Sequence, residues 1–151
     1  MSNILVLHGP NLNLLGTREP EHYGRVTLEE INERAARIAK DAGFGVIARQ
    51  SNAEHEIVNV LQDAVASDVR FVVFNPAAYT HTSVAIRDAM IASDIPFVEV
   101  HLSNVFSREE FRHHSYLADI AQGVICGFGV QGYEFAMQVA VNHLRMEQEG
   151  D

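Results

Sequence analysis

The chain has 151 residues, 47% of them apolar and 21% charged, and a net charge of −9. That length gives one domain, 1–151, room for a substantial core, and the acidic balance excludes the basic face that nucleic acids or anionic membranes require. No apolar run approaches the roughly 20 residues of a membrane helix, the start lacks a signal-peptide pattern, and Cys126 is the only cysteine, so a cytoplasmic protein without an internal disulfide is expected.

Short apolar runs alternate with helical ones. Strands are expected over Asn3–His8, Phe44–Gln50, Phe71–Asn75, Pro96–His101 and Gly123–Cys126. Most are near-continuous apolar runs, as in parallel strands covered on both faces. The first helix starts at the capping box Thr27–Glu30, carries Leu28, Ile31, Ala35, Ile38 and Ala42, and stops at Gly43. A second starts near Ser51, with Glu54 three residues on; a third covers about 82–92; a short fourth lies near 108–117. A fifth covers about 132–147, with Phe135, Val139 and Leu144 on its apolar side, and 147–151 reads as a frayed polar tail. Strands alternating with helices give a doubly wound α/β fold, a five-stranded parallel sheet in flavodoxin-like order with helices on both faces.

Ligands of such sheets bind beyond the carboxyl ends of the strands. Three segments there are dense in hydrogen-bonding groups: Gly9-Pro10-Asn11, the run from Asn75 to Ser83, and the run from Glu99 to Asn104. The first opens a connection far longer than the usual about 2–6 residues, and it carries Asn11, Asn13, Arg18, His22 and Tyr23. Gly16 and Gly24 mark a lid over about 14–25. A phenol ionises near 10, so Tyr23 is a poor base at neutral pH unless a cation such as Arg18 favours its phenolate. Glu99 and His101 are two apart on a strand and share a face, so the carboxylate can orient the ring. Arg108 and Arg112 are four apart and, on a helix, share a face; they read as an anion or polyol site near His101, or as a solvated face with Glu109. His113-His114 lacks metal-ligand spacing, and the loose glycine pattern Gly127–Gly132 sits at the last strand, where it reads as a turn.

These residues resemble the type II 3-dehydroquinate dehydratases over nearly the whole chain. The resemblance rests on Gly9–Gly16 with Arg18 and Tyr23, on Asn75–Ser83 with Asp88, and on Glu99–Asn104 with Arg108 and Arg112. It implies loss of water from 3-dehydroquinate to give 3-dehydroshikimate, in aromatic precursor synthesis or quinate breakdown. It makes Tyr23 the base, with Arg18 and Arg108 favouring its phenolate. Asn11 would hold a water on the enolate, and His101 would be the acid, oriented by Glu99. Substrate contacts would come from Asn75, His81, Arg112, Leu102, Ser103 and Asp88 of a neighbouring subunit. It implies no cofactor and no metal, and trimers packed into a homododecamer.

The competing reading is a non-enzymatic flavodoxin-like module that binds a small ligand. A receiver would need acids where His8–Asn11 stands, and a flavin module a Ser/Thr-rich phosphate loop after the first strand. No Schiff-base route is expected through Lys40, the single lysine: on the first helix it lies roughly 155° from the apolar stripe and faces solvent, away from the crevice.

Overall fold

A computed structural model describes residues 2–17 and 24–150. Strands β1 (Asn3–His8), β2 (Gly45–Gln50), β3 (Val69–Asn75), β4 (Phe97–His101) and β5 (Val124–Cys126) form one sheet in the order β2-β1-β3-β4-β5. Every pairing is parallel. Helices α1 (Leu28–Asp41), α2 (Glu54–Ala64), α3 (Val84–Ser93) and α4 (Gln131–Gly150) cover both faces. This is the expected doubly wound, flavodoxin-like order. Among the described residues no helix is long and apolar enough to cross a membrane.

Alternation along the strands builds the two halves of the core. Ile4, Val6, Phe71, Val73, Val98 and Val100 pack with Ile31, Ala35 and Ala39 of α1 and with Met137 and Leu144 of α4. Leu5, Leu7, Val72, Phe74 and Phe97 pack on the other face with Ile57 and Leu61 of α2 and Ile86 and Met90 of α3. Each such large apolar side chain contributes about 1.5–3 kcal/mol on burial. Helix α1 starts where the Thr27 hydroxyl accepts from the Glu30 N–H at 3.2 Å, and Gly43 leaves it in the left-handed region, φ +88°.

Three local expectations give way to packing. Helix α2 starts after Ala53 without a side-chain cap; Ser51 instead accepts from the Ala53 N–H at 2.9 Å and donates to Glu56. The expected helix near 108–117 is replaced by two short 3-10 turns, Val105–Ser107 and Glu110–Arg112. The reason lies in tertiary hydrogen bonding: the Tyr116 N–H donates to the Thr80 carbonyl at 2.8 Å and Ser115 donates to Glu99 at 2.9 Å, so this chain serves the sheet edge rather than an i→i−4 ladder. On α4, Phe135 and Val139 are exposed. The buried stripe is Tyr133, Ala136, Met137, Ala140, Val141 and Leu144, and the helix continues through 147–150. The two alanines let α4 approach the sheet closely, while Phe135 meets Phe128 edge-on at 5.7 Å.

At the carboxyl end of the sheet, the Gly9 N–H donates to the Asn75 carbonyl at 2.7 Å. A Cβ on Gly9 would lie 2.3 Å from the Pro76 carbonyl oxygen. We predict that Gly9→Ala destabilises the protein by about 1–3 kcal/mol, read by chemical denaturation. A loss below about 0.5 kcal/mol, the ordinary range for a surface change, would show that the two loops are not locked together here.

Candidate active site

The carboxyl ends of β1, β3 and β4 enclose a cavity of about 280 Å³. Its first wall is the loop after β1, with Pro10, Asn11, Leu12, Leu14 and Leu15. Asn11 takes up a left-handed conformation, φ 70°, which asparagine tolerates better than most residues. Its N–H donates to the Asn52 carboxamide at 3.0 Å, and the Tyr79 hydroxyl holds Asn52 in turn through its carbonyl at 2.7 Å. The loop then turns at Gly16, φ +86°, which lies against Arg25 and Thr27. The two described ends of this long connection therefore meet. Arg18 and Tyr23 lie outside the described residues, as does the whole of 18–23 in the expected lid.

The second wall comes from β3 and the turn after it: Asn75, Ala77, Ala78 and His81. His81 Nδ1–H donates to the His114 carbonyl at 2.8 Å, which leaves Nε2 as an acceptor. Burial holds its pKa below the usual histidine value, so the ring is neutral at pH 7. It stacks on the His101 ring with centroids 6.3 Å apart.

His101 and its partner form the third wall with Leu102, Ser103, Val105, Arg108 and Arg112. Glu99 is buried behind the cavity and accepts from His101 Nε2–H at 2.5 Å. Thr80 lies 3.1 Å from one carboxylate oxygen of Glu99, and Ser115 lies 2.9 Å from the other. These bonds offset the cost of removing a charged carboxylate from water. His101 Nδ1 is left without a protein hydrogen-bond partner among the described residues. Arg108 and Arg112 reach the cavity with Glu109 beside both, at 3.7 and 3.2 Å.

The structure thus gathers Asn11, Asn75, His81, His101, Leu102, Ser103, Arg108 and Arg112 around one space, with Glu99 behind His101. Asp88 does not line it; it is exposed on α3. The two arginines share a wall, but through 3-10 turns rather than the face of one helix. Sequence reasoning missed the supports: Asn52 behind Asn11, and Ser115 behind Glu99. Ser115 and Thr80 meet across 35 positions, a contact that no local periodicity encodes. Thr80 was visible only as part of the polar run after β3. Among the described residues no three His, Cys, Asp or Glu side chains cluster as metal ligands would.

Residues 2–141 match the family described as Dehydroquinase class II. A protein of Marinobacter nauticus named 3-dehydroquinate dehydratase is 59% identical over 144 residues, covering 95% of this chain and 99% of its own. One of the same name from Saccharophagus degradans is 61% identical over 140 residues, covering 93% of this chain and 96% of its own. The crystal structure of type II dehydroquinase from Propionibacterium acnes superposes with a TM-score of 0.88 at 39% identity, covering 94% of this chain and 97% of that one. With matched sequence, matched fold and a polar cavity at the expected sheet edge, the chain belongs to the class II dehydroquinase family.

Proposed function

We propose the following route for the dehydration of 3-dehydroquinate to 3-dehydroshikimate by this chain. Tyr23, as phenolate, removes a proton from the carbon beside the ketone. Arg18 and Arg108 favour the phenolate by charge. The ketone oxygen gains negative charge as the enolate forms, and a water held at Asn11 donates to it. The enolate then collapses, the carbon–oxygen bond to the leaving hydroxyl breaks, and His101 supplies the proton that makes it water. Asn75, His81, Arg112, Ser103 and the backbone at Leu102 and Ser103 hold the hydroxyls and carboxylate of the substrate. Acid and base are both side chains, so the route needs no cofactor and no metal.

The observation that carries this reading is the buried Glu99–His101 pair at 2.5 Å, on the wall of the cavity that Arg112 and Arg108 also line. Glu99 accepts at Nε2, which directs the other ring nitrogen to the work of an acid. A buried carboxylate beside the ring stabilises the positive charge that an acid carries before it gives up its proton. Neutral His81, stacked on His101, adds no competing charge.

We infer further that the chain assembles into trimers packed as a homododecamer, with Asp88 reaching a neighbour's site. The resemblance supports this, and so does the exposure of Asp88 away from its own cavity. The single cysteine and the small-molecule substrate support a cytoplasmic location.

Three tests bear on this route, with activity read by the absorbance of the enone product. Tyr23→Phe should keep the fold and lose at least about tenfold in kcat, a barrier change of roughly 1.4 kcal/mol or more; a variant retaining more than that is incompatible with Tyr23 as the base. Glu99→Gln keeps the size but removes the charge, and kcat should fall by about 10²–10³ with little change in KM. An unchanged kcat would dismiss the carboxylate from the acid's support. Lys40 is exposed in the last turn of α1, at the end where Gly45 pairs with Ser2 and opposite the cavity. Borohydride added with substrate should leave activity and protein mass unchanged, whereas a trapped adduct on Lys40 would replace the enolate route with an imine.

A further inference from the structure

His8 ends β1 with no exposed surface, yet the route above gives it nothing to do. Its neighbour in register on β3 is Asn75, and both side chains lie on the face covered by α1 and α4. Tyr133 of α4 stands over them, 3% exposed. Its hydroxyl is 2.9 Å from His8 Nδ1 and 3.0 Å from Asn75 Nδ2. On the far side of the ring, His8 Nε2 is 2.7 Å from Asn32 Oδ1 on α1.

The direction of every bond in this chain follows from one backbone group. The Ala77 N–H can only donate, and it donates to Asn75 Oδ1 at 3.0 Å. The Asn75 amide nitrogen must then face Tyr133 and donate to its oxygen. The single phenolic proton goes on to His8 Nδ1. The His8 proton therefore sits on Nε2 and is donated to Asn32. Burial pushes the His8 pKa down to about 4, only partly offset by the bond to Asn32, so the ring is neutral at pH 7 and Nδ1 can accept. An imidazolium would carry a proton on Nδ1 and leave the Tyr133 hydroxyl without an acceptor.

We infer that His8 and Tyr133 are positioning residues that lock the Asn75 carboxamide in one orientation, so that its second amide proton is presented to the substrate in the cavity. The inference rests on the reading of Asn75 as a substrate contact. A carboxamide is nearly symmetric in shape, and an unrestrained one turns over to present oxygen where nitrogen is needed. Here the oxygen is claimed by Ala77 and one amide proton by Tyr133. Asn75 itself is 2% exposed and lies in the cavity wall. One amide proton remains for a substrate hydroxyl or carboxylate. The route to that orientation passes through three side chains that never touch the substrate.

The test combines variants with one measurement on the unaltered protein. Asn75→Ala should raise KM by about tenfold or more, the worth of one hydrogen bond to substrate. Tyr133→Phe should raise KM by about tenfold with kcat changed less than about threefold. In an Asn75→Ala background the same substitution should change KM by less than about twofold, because the group it positions is gone. A Tyr133→Phe effect on KM that persists there, or no effect in the parent, overturns the positioning role. Asn75→Ala without effect on KM overturns the substrate-contact reading and this inference with it. Independently of any variant, nitrogen-15 NMR of histidine-labelled protein at pH 7 should show His8 neutral with its proton on Nε2. A ring protonated on Nδ1, alone or with Nε2, breaks the chain of donors and overturns the proposal.

Discussion

The contact between Gly9 and the Asn75–Pro76 peptide is the constraint on which the cavity depends. Adjacent parallel strands end together there, and the backbone hydrogen bond from Gly9 to Asn75 continues their pairing one residue past β1. The carbonyl of Pro76 occupies the place where a side chain would be. Two loops can leave the sheet side by side only because one of them starts at a glycine, whose backbone tolerates such close approach. Asn11 and Asn75 owe their shared cavity to that missing carbon.

Two polar systems meet at this edge from opposite faces of the sheet. Glu99 and His101 project with Phe97 toward α2 and α3, and Thr80 and Ser115 close the carboxylate from that side. His8 and Asn75 project toward α1 and α4, where Tyr133 and Asn32 complete their hydrogen bonds. Among the described residues no buried side-chain nitrogen or oxygen lacks a partner, and what these systems leave open, His101 Nδ1 and one Asn75 amide proton, belongs to the cavity wall. Low local polarity makes such networks strong when complete and costly when broken. They hold their geometry for the same reason that the apolar core holds its own.

The sheet was legible in the sequence because its strands are buried on both faces, and a near-continuous apolar run such as Phe71–Phe74 has few other readings. The Glu99–His101 pair was legible because strand geometry alone puts residues two apart on one face. Arg108 and Arg112 reach the same wall as expected, but the helix inferred to join them is absent, because Ser115 and Tyr116 spend their hydrogen bonds on Glu99 and Thr80. Phe135 and Val139 misled for a simpler reason. Apolar residues at helical spacing marked a stripe, and the stripe that packs is the one with Ala136 and Ala140, whose small side chains admit the sheet. The partnership of His8 with Tyr133 spans 125 positions, and nothing local in either segment announces it.

The division of polar support between the two faces makes the sheet a partition. A change in the α2–α3 layer reaches the proton donor without passing through the α1–α4 layer, and a change under Tyr133 reaches Asn75 without crossing to Glu99. Tyr133 and Ser115, the outer supports on the two sides, share no hydrogen bond, so changes at these two positions should combine nearly additively. A lineage of such sequences can therefore drift in one layer while the other stays fixed, and adjust grip on the substrate and strength of the acid as separate traits.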